Sequence, residues 1–377
     1  MIGPLTIARV EVAPIRLTLR EPFAVAYATQ HDIPTILVRV STAEGAVGWG
    51  EATPDPNVTG ETFASAHAML VADLAPALVG RDARDREGAV RALDALVDAA
   101  PAAKAALDIA LHDLVARAAG LPLWALLGGR STPHLTISRV VSMAAPDAMA
   151  AAAARHVADG FATVKLKVGD PANPMLDVAR VAAVRAAVGP HVGIKVDANQ
   201  GWRTAGVAIP AVRAMLASRP DYVEQPVDQH DLDGLAEVRR LTGATIMADE
   251  AVHGVREMAR VVALRAADLV NIKLMKTGGL VNALRVNAVA EAAGVGAQVG
   301  TMVESSVASA AGLHLATALA NVRTVEMGGP LMITDDVGDL RTRYACDRIT
   351  LPDAPGLGVT IDEAAVRARA ESWTVVD

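Results

Sequence analysis

FATVKLKVGD, residues 161–170, sets two lysines one residue apart inside an otherwise apolar run. The run is too short for a helix and rich in β-branched valine. It therefore reads as a strand of a parallel sheet, with both faces covered. Side chains alternate between faces along a strand. Lys165 and Lys167 thus share one face, while Val164, Leu166 and Val168 take the other. If the apolar face packs under helices, the lysines point into whatever the sheet encloses. There an unpaired ammonium loses its proton unless something offsets its charge. The alternative at this point is an edge strand with both lysines in water.

Working outward, short Val/Ile strands alternate with Ala-rich helices from about residue 134 to 330. Strands are expected near 135–141, 163–168, 192–197, 221–224, 245–249, 268–273, 295–299 and 322–327. Units of about 25 residues repeated eight times fit a closed α/β barrel, (β/α)8, better than an open sheet. The chain accordingly divides into an α+β portion over 1–125, a barrel over 126–330 and a C-terminal segment, 331–377, that returns to the N-terminal portion. In the first portion Ile36, Val38 and Val40 alternate with their neighbours, Glu44-Gly45 turns the chain, and Val47 to Glu51 returns as a hairpin partner. Pro101 to Ala119 reads as a helix, with proline in its first turn and Gly120 as its stop.

Composition narrows the classes. Of 377 residues, 52% are apolar, enough for a large core, yet no stretch approaches the roughly 20 uninterrupted apolar residues of a membrane helix. The N-terminus lacks the basic, apolar, small-residue order of a signal peptide, so a cytoplasmic location is expected. The single Cys346 excludes an internal disulfide and a cysteine metal cluster. A net charge of −7, with 3% aromatics and no basic run, excludes nucleic acid as the expected partner.

A barrel carries its chemistry at the carboxyl ends of its strands. Strand two ends in Lys165 and Lys167, strand three (GIKVDANQGW) in Asp197 and Asn199, strand four (DYVEQP) in Glu224. Strand five (IMADE) ends in Asp249 and Glu250, and strand six (DLVNIKLMK) in Lys273. Successive charges lie about one βα unit apart, so they form a ring at one mouth. Carboxylates of Asp197, Glu224 and Asp249 from adjacent strands make a hard-oxygen site for Mg²⁺, with Mn²⁺ as a substitute. The metal, the acids and a substrate carboxylate are the offset the buried lysines need. A carboxylate substrate held on such an ion becomes a stronger carbon acid, since the metal stabilises the enediolate. Lys167 and Lys273 come from strands on opposite sides of the mouth, so each reaches one face of the α-carbon: removal on one side and return on the other is racemisation or epimerisation. Nearby cations are expected to lower the lysines toward working pH. Lys165 supports Lys167 or touches substrate. Asn199, Gln225 and Glu250 form a second layer around the ligands or cap the helices that follow. His253 and His314 are read as structural histidines in helical stretches. Two other readings use the same residues: a Schiff-base barrel enzyme with one lysine and no metal, and a non-enzymatic binding descendant.

The motifs KLK, VDANQGW, VEQP, ADE and NIKLMKTGG, in that order, resemble the enolase superfamily, specifically its muconate-lactonizing subgroup, over nearly the whole chain. The resemblance implies a modified (β/α)8 barrel of the (β/α)7β type and an N-terminal capping domain whose loops choose the substrate. It also implies a homo-oligomer acting on a small-molecule carboxylate. The substrate loops would lie near Phe23–Asp32 and Gly50–Thr62. VGWGEATPDPNVTGET and VGTMVESSVASAAGLH look most like dipeptide epimerases of the L-Ala-D/L-Glu type. Those carry Asp-x-Asp after strand eight for the dipeptide ammonium, where this chain has Glu326 and Gly328. Muconate cycloisomerases carry Glu-x-x-Gly-Pro there, which Glu326, Gly329 and Pro330 match, and Tyr27-Ala28-Thr29 stands where some epimerases place an arginine. The resemblance thus points to a dipeptide or N-acyl amino acid epimerase, with a muconate cycloisomerase as the alternative. Tyr27, Thr29, Thr301, Met302, Glu304, Glu326 and Gly328 are the expected substrate contacts.

Overall fold

The computed structural model describes residues 3–132 and 134–377; Met1 and Ile2, at the head of the N-terminal segment, and Pro133 lie outside the described residues. Two sheets organise the chain. The first is four-stranded and antiparallel, with β1 (Ile7–Ala24), β2 (Thr29–Thr42) and β3 (Val47–Ala52) in order and the C-terminal strand Thr374–Val376 added beside β1. In β1 Ile15, Leu17 and Leu19 are buried while Arg16, Thr18 and Arg20 are exposed, the alternation of a sheet with one wet face. The other face receives the helix Pro101–Ala119, buried continuously from Ala102 to Ala116. Contact is close because both surfaces are small: a Cβ on Gly50 would fall 1.8 Å from the Ala106 carbonyl oxygen. Pro101 opens this helix and Gly120, in the left-handed region, closes it, as its sequence predicts.

The second sheet is eight-stranded, parallel and in sequential order: Arg139–Val141, Thr163–Lys167, Gly193–Asp197, Tyr222–Glu224, Ile246–Ala248, Leu269–Ile272, Gly296–Val299 and Val322–Val325. A parallel bridge between Ile137 and Val325 joins the two ends, closing the sheet into a TIM-type barrel. The strand at 163–167 lies inside the sheet, between the first and third strands, so the edge-strand alternative falls. Val164 and Leu166 are wholly buried on one face and Lys165 and Lys167 on the other. After the eighth strand the chain makes only the four-residue helix Gly329–Met332, then crosses back: Gly356 exchanges backbone hydrogen bonds with Leu121 and Leu123.

Three expectations need correction. Phe23–Asp32 is mostly strand: Phe23 pairs with Gln30 and Ala24 with Thr29, leaving Val25–Ala28 as the hairpin turn. In the Gly50–Thr62 stretch, Gly50–Ala52 belongs to β3. His253 precedes the helix Val255–Leu264 in a loop, its Nε2 donating to the Val58 carbonyl; His314 is helical, within Ser306–Ala318.

Candidate active site

Asp197 and Glu224 end the third and fourth barrel strands and Asp249 follows the fifth. All three are fully buried, and one oxygen from each lies within 4.8 Å of the others. Like charges that close are held by amines. Lys165 stands among them, 2.9 Å from Asp197, 2.8 Å from Glu224 and 2.6 Å from Glu326. Lys167 lies 2.7 Å from Asp197 and donates to Asn199 at 3.0 Å. Lys273 meets Asp249 Oδ2 at 2.7 Å, and Lys276 meets its Oδ1 at 2.6 Å.

Burial opposes ionisation of every acid here, and the lysines decide the outcome. Lys165 and Lys167 hold Asp197 at about 2 despite burial, and Lys273 and Lys276 hold Asp249 well below the usual range. Glu224 is pushed up by burial and then by Asp197, with Lys165 only partly opposing. The carboxylates in turn outweigh desolvation at Lys165 and Lys273 and raise both. At Lys273 this runs opposite to the expected lowering by neighbouring cations, because Asp249 and Glu250 dominate around its amine. Lys276 is lowered by its burial.

The triad is suited to a divalent ion on its own geometry. Glu224 Oε2 and both Asp249 oxygens are buried near amines, yet none receives a hydrogen bond in bonding geometry. Buried carboxylate oxygens without hydrogen-bond donors, drawn from three acids clustered within 4.8 Å, are the donor set a hard divalent ion takes. The neighbouring residues brace this space. Gln225 Oε1 accepts from the Asp249 and Ala251 amides at 2.9 and 3.1 Å, tying the end of strand four to that of strand five. Asn199 links Lys167 to Glu250, whose carboxyl burial pushes up to about 7. Asn199 (φ 40°) and Gln225 (φ 35°) both hold left-handed backbone, a strain that recurs at functional turns.

Tyr27, at the hairpin turn, donates to Asp55 at 3.1 Å, and its hydroxyl lies within electrostatic range of Glu250 and Asp197. Thr29 is exposed on β2. Thr301, Met302 and Glu304 form a closed turn after strand seven: the Thr301 hydroxyl and the Met302 amide both donate to the Glu304 carboxylate. Val303 within it has φ 69°, a genuine outlier for a β-branched residue. Glu326 turns into the barrel, where Lys165 (2.6 Å), the Tyr222 hydroxyl (3.2 Å), Ser138 (3.3 Å) and Lys195 (3.4 Å) surround its carboxylate. Gly328 bonds back to the Glu326 carbonyl at 2.9 Å. Sequence reasoning missed Lys276, Lys195 and Asn271. Asn271 donates to Glu224 at 2.9 Å. Lys195 was visible in principle, two residues before Asp197 and hence on the same face. Lys276 was not, because it sits on the short helix Leu274–Thr277 whose direction only packing fixes.

Two family models match: the mandelate racemase / muconate lactonizing enzyme N-terminal domain over residues 7–128, and the enolase C-terminal domain-like model over 148–365. An N-succinyl-L-Arg/Lys racemase of Bacillus cereus is 41% identical over 95% of this chain and 96% of its own length. An L-Ala-D/L-Glu epimerase of Bacillus subtilis is 39% identical over 94% and 96%, and a muconate cycloisomerase 1 of Rhodococcus opacus 32% identical over 98% and 99%. Among solved structures, that of the N-succinyl Arg/Lys racemase superposes with TM-score 0.97 at 39% identity, covering 99% of this chain and 100% of that one. A dipeptide epimerase from Cytophaga hutchinsonii, complexed with Mg and D-Ala-L-Val, gives TM-score 0.94 at 30% identity over 99% and 100%.

Proposed function

Because the chain belongs to the mandelate racemase / muconate lactonizing enzyme family, and is an isomerase like its relatives, we propose that it is a Mg²⁺-dependent racemase or epimerase of N-acylated amino acids or dipeptides. The observation that carries this reading is the pairing of Lys167 with Asp197 and of Lys273 with Asp249, each at 2.7 Å, which sets one amine on either side of the acid triad. Asp197, Glu224 and Asp249 hold the ion, with Mn²⁺ as a substitute. When bound, it supplies Lewis-acid stabilisation of the charge that develops on the substrate carboxylate, and it satisfies the acids that otherwise grip the lysines. Lys167 takes the α-proton from one face of the substrate carbon and Lys273 returns one to the other, or the reverse, according to the enantiomer bound. Lys165, held between Glu326 and the triad, stays charged and orients the carboxylates. Asn199, Gln225 and Glu250 keep the ligands in place. The N-terminal sheet and its helix form a cap over the barrel mouth, bringing Tyr27 to the substrate side.

Incubation in D₂O with Mg²⁺ and a panel of N-succinyl and N-acetyl amino acids and dipeptides tests this. Expected is α-deuterium incorporation with loss of optical rotation for at least one class, abolished by EDTA. No exchange across the panel rejects the proposal. Adding cis,cis-muconate to the panel checks the cycloisomerase reading suggested by Glu326, Gly329 and Pro330; its consumption would favour that reaction.

A further inference from the structure

The barrel flank carries a groove of its own. Each of the first seven barrel strands is followed by a helix of ten to fifteen residues, but the eighth is followed only by Gly329–Met332 and the 3-10 turn Leu340–Arg343. The space this leaves beside the helix Pro146–Ala158 is a groove of about 670 Å³, completed by residues of the first strand and by Arg20–Phe23. Its lining carries four arginines, Arg20, Arg139, Arg155 and Arg341, against two carboxylates, Glu21 and Asp159, in a chain whose net charge is −7. His156 adds no charge at neutral pH, since burial and then Arg139 push it down to about 4. Arg139 is the half-buried member. Among the described residues its one hydrogen bond runs from Nη2 to the Leu331 carbonyl at 3.4 Å, and it has no ion pair; Glu21 and Asp159 act on it only at longer range. A guanidinium has five N–H donors in a planar fork, so this one keeps most of its capacity for an anion. Ala152, Phe161 and Met332 give the wall an apolar stretch beside Ser142, Tyr344 and Cys346, with the fully buried Met149 beneath it.

We propose that this groove binds a small organic oxyanion, a carboxylate or phosphate on an apolar body, with Arg139 engaging the charged end and the apolar stretch around Ala152, Phe161 and Met332 taking the body. The site is separate from the acid triad but adjoins it: Phe23 lines the groove, and its ring centroid lies 5.9 Å from the Lys167 amine.

Phenyl phosphate, with benzoate as the carboxylate arm, is titrated with Mg²⁺ present into the full-length protein labelled at methionine methyl groups, and read by NMR. Expected are saturable shifts of Met149 and Met332, identified by their Leu substitutions, for at least one probe, with affinity lowered about tenfold in Arg139→Met, the loss of a charge-assisted contact. The exposed Arg155→Glu lowers affinity as well, and keeps the result decisive should Arg139→Met fold poorly. Absence of saturable shifts with both probes, shifts only at methionines outside the groove, or unchanged affinity in both variants overturns the proposal.

Discussion

Asp249 holds two amines, Lys273 at 2.7 Å and Lys276 at 2.6 Å, and the two have different consequences. Lys276 is wholly buried and bonded to the Asn271 carbonyl at 3.0 Å, so its work is to hold Asp249 charged. Removing one partner of a buried pair leaves an uncompensated charge, a cost of about 3–5 kcal/mol. Lys276→Met is expected to lower the melting midpoint strongly in EDTA and to regain part of it in Mg²⁺, because the ion supplies the missing positive charge. A midpoint indifferent to Mg²⁺ would count against Asp249 as a ligand. In the proposed mechanism Lys273 serves the substrate carbon instead. Losing one of two acid/base groups slows racemisation on the order of 10²- to 10⁴-fold. In Lys273→Met, Lys167 is expected still to exchange the α-proton of one enantiomer with D₂O; equal loss of exchange from both enantiomers would contradict the two-sided arrangement. At this scale the sequence was most legible on strands. Period-two alternation put Lys165 with Lys167, and the regular spacing of βα units put three acids on one rim. Lys276 escaped because its direction depends on what packs beneath its short helix.

The helix Ser306–Ala318 is buried along its whole length, and His314 within it is satisfied on both nitrogens. Nδ1 accepts from the Trp124 amide at 3.1 Å and Nε2 donates to the Leu357 carbonyl at 3.0 Å. A second proton at Nδ1 would meet that amide, and burial keeps the ring neutral to about 4. Its folded pKa lies below the unfolded value of about 6.5, so its contribution is present above pH 6.5 and is lost as pH falls toward 4. Every tenfold weakening of proton binding on folding corresponds to about 1.4 kcal/mol, so the loss is about 3 kcal/mol. Denaturant unfolding at pH 7 and pH 4.5 is expected to show this fall, and His314→Gln to reduce it; an unaltered slope would contradict the neutral buried ring. His156, also held at about 4, adds a fall of the same sign that the variant retains. Elements announced by punctuation were readable: Pro101 and Gly120 delimit a helix, and Glu44-Gly45 turns a hairpin. The long strand β1 was not, because Pro14 and Pro22 interrupt its pattern and prolines argue against strands. It survives because it pairs with β2 on one side and with Thr374–Val376, from the other end of the chain, on the second.

Cap and barrel are joined through buried polar contacts. Glu51, on β3, receives the Ser305 amide at 2.8 Å, the Ser305 hydroxyl at 2.6 Å and the Ala308 amide at 2.9 Å, closing the N-terminus of a barrel helix with a carboxylate from the cap. Asp108, on the cap helix, accepts in the same way from the Leu280 amide, and Asp113 accepts from the Leu357 amide of the returning C-terminal segment. Glu51→Ala is expected to leave the Ser305 and Ala308 donors unpaired, at about 1–3 kcal/mol for each buried group. Chemical denaturation measures this; a variant as stable as its parent would show that the two parts do not depend on this residue. The sequence by itself determined the barrel, its strand order and the rim of acids and lysines, because these follow from local periodicity and from the length of a βα unit. Only the tertiary structure decided which amine serves which acid, which amines surround Glu326, and how the chain's two ends complete one sheet. Those outcomes depend on contacts between residues far apart in sequence, whose distances no local pattern encodes.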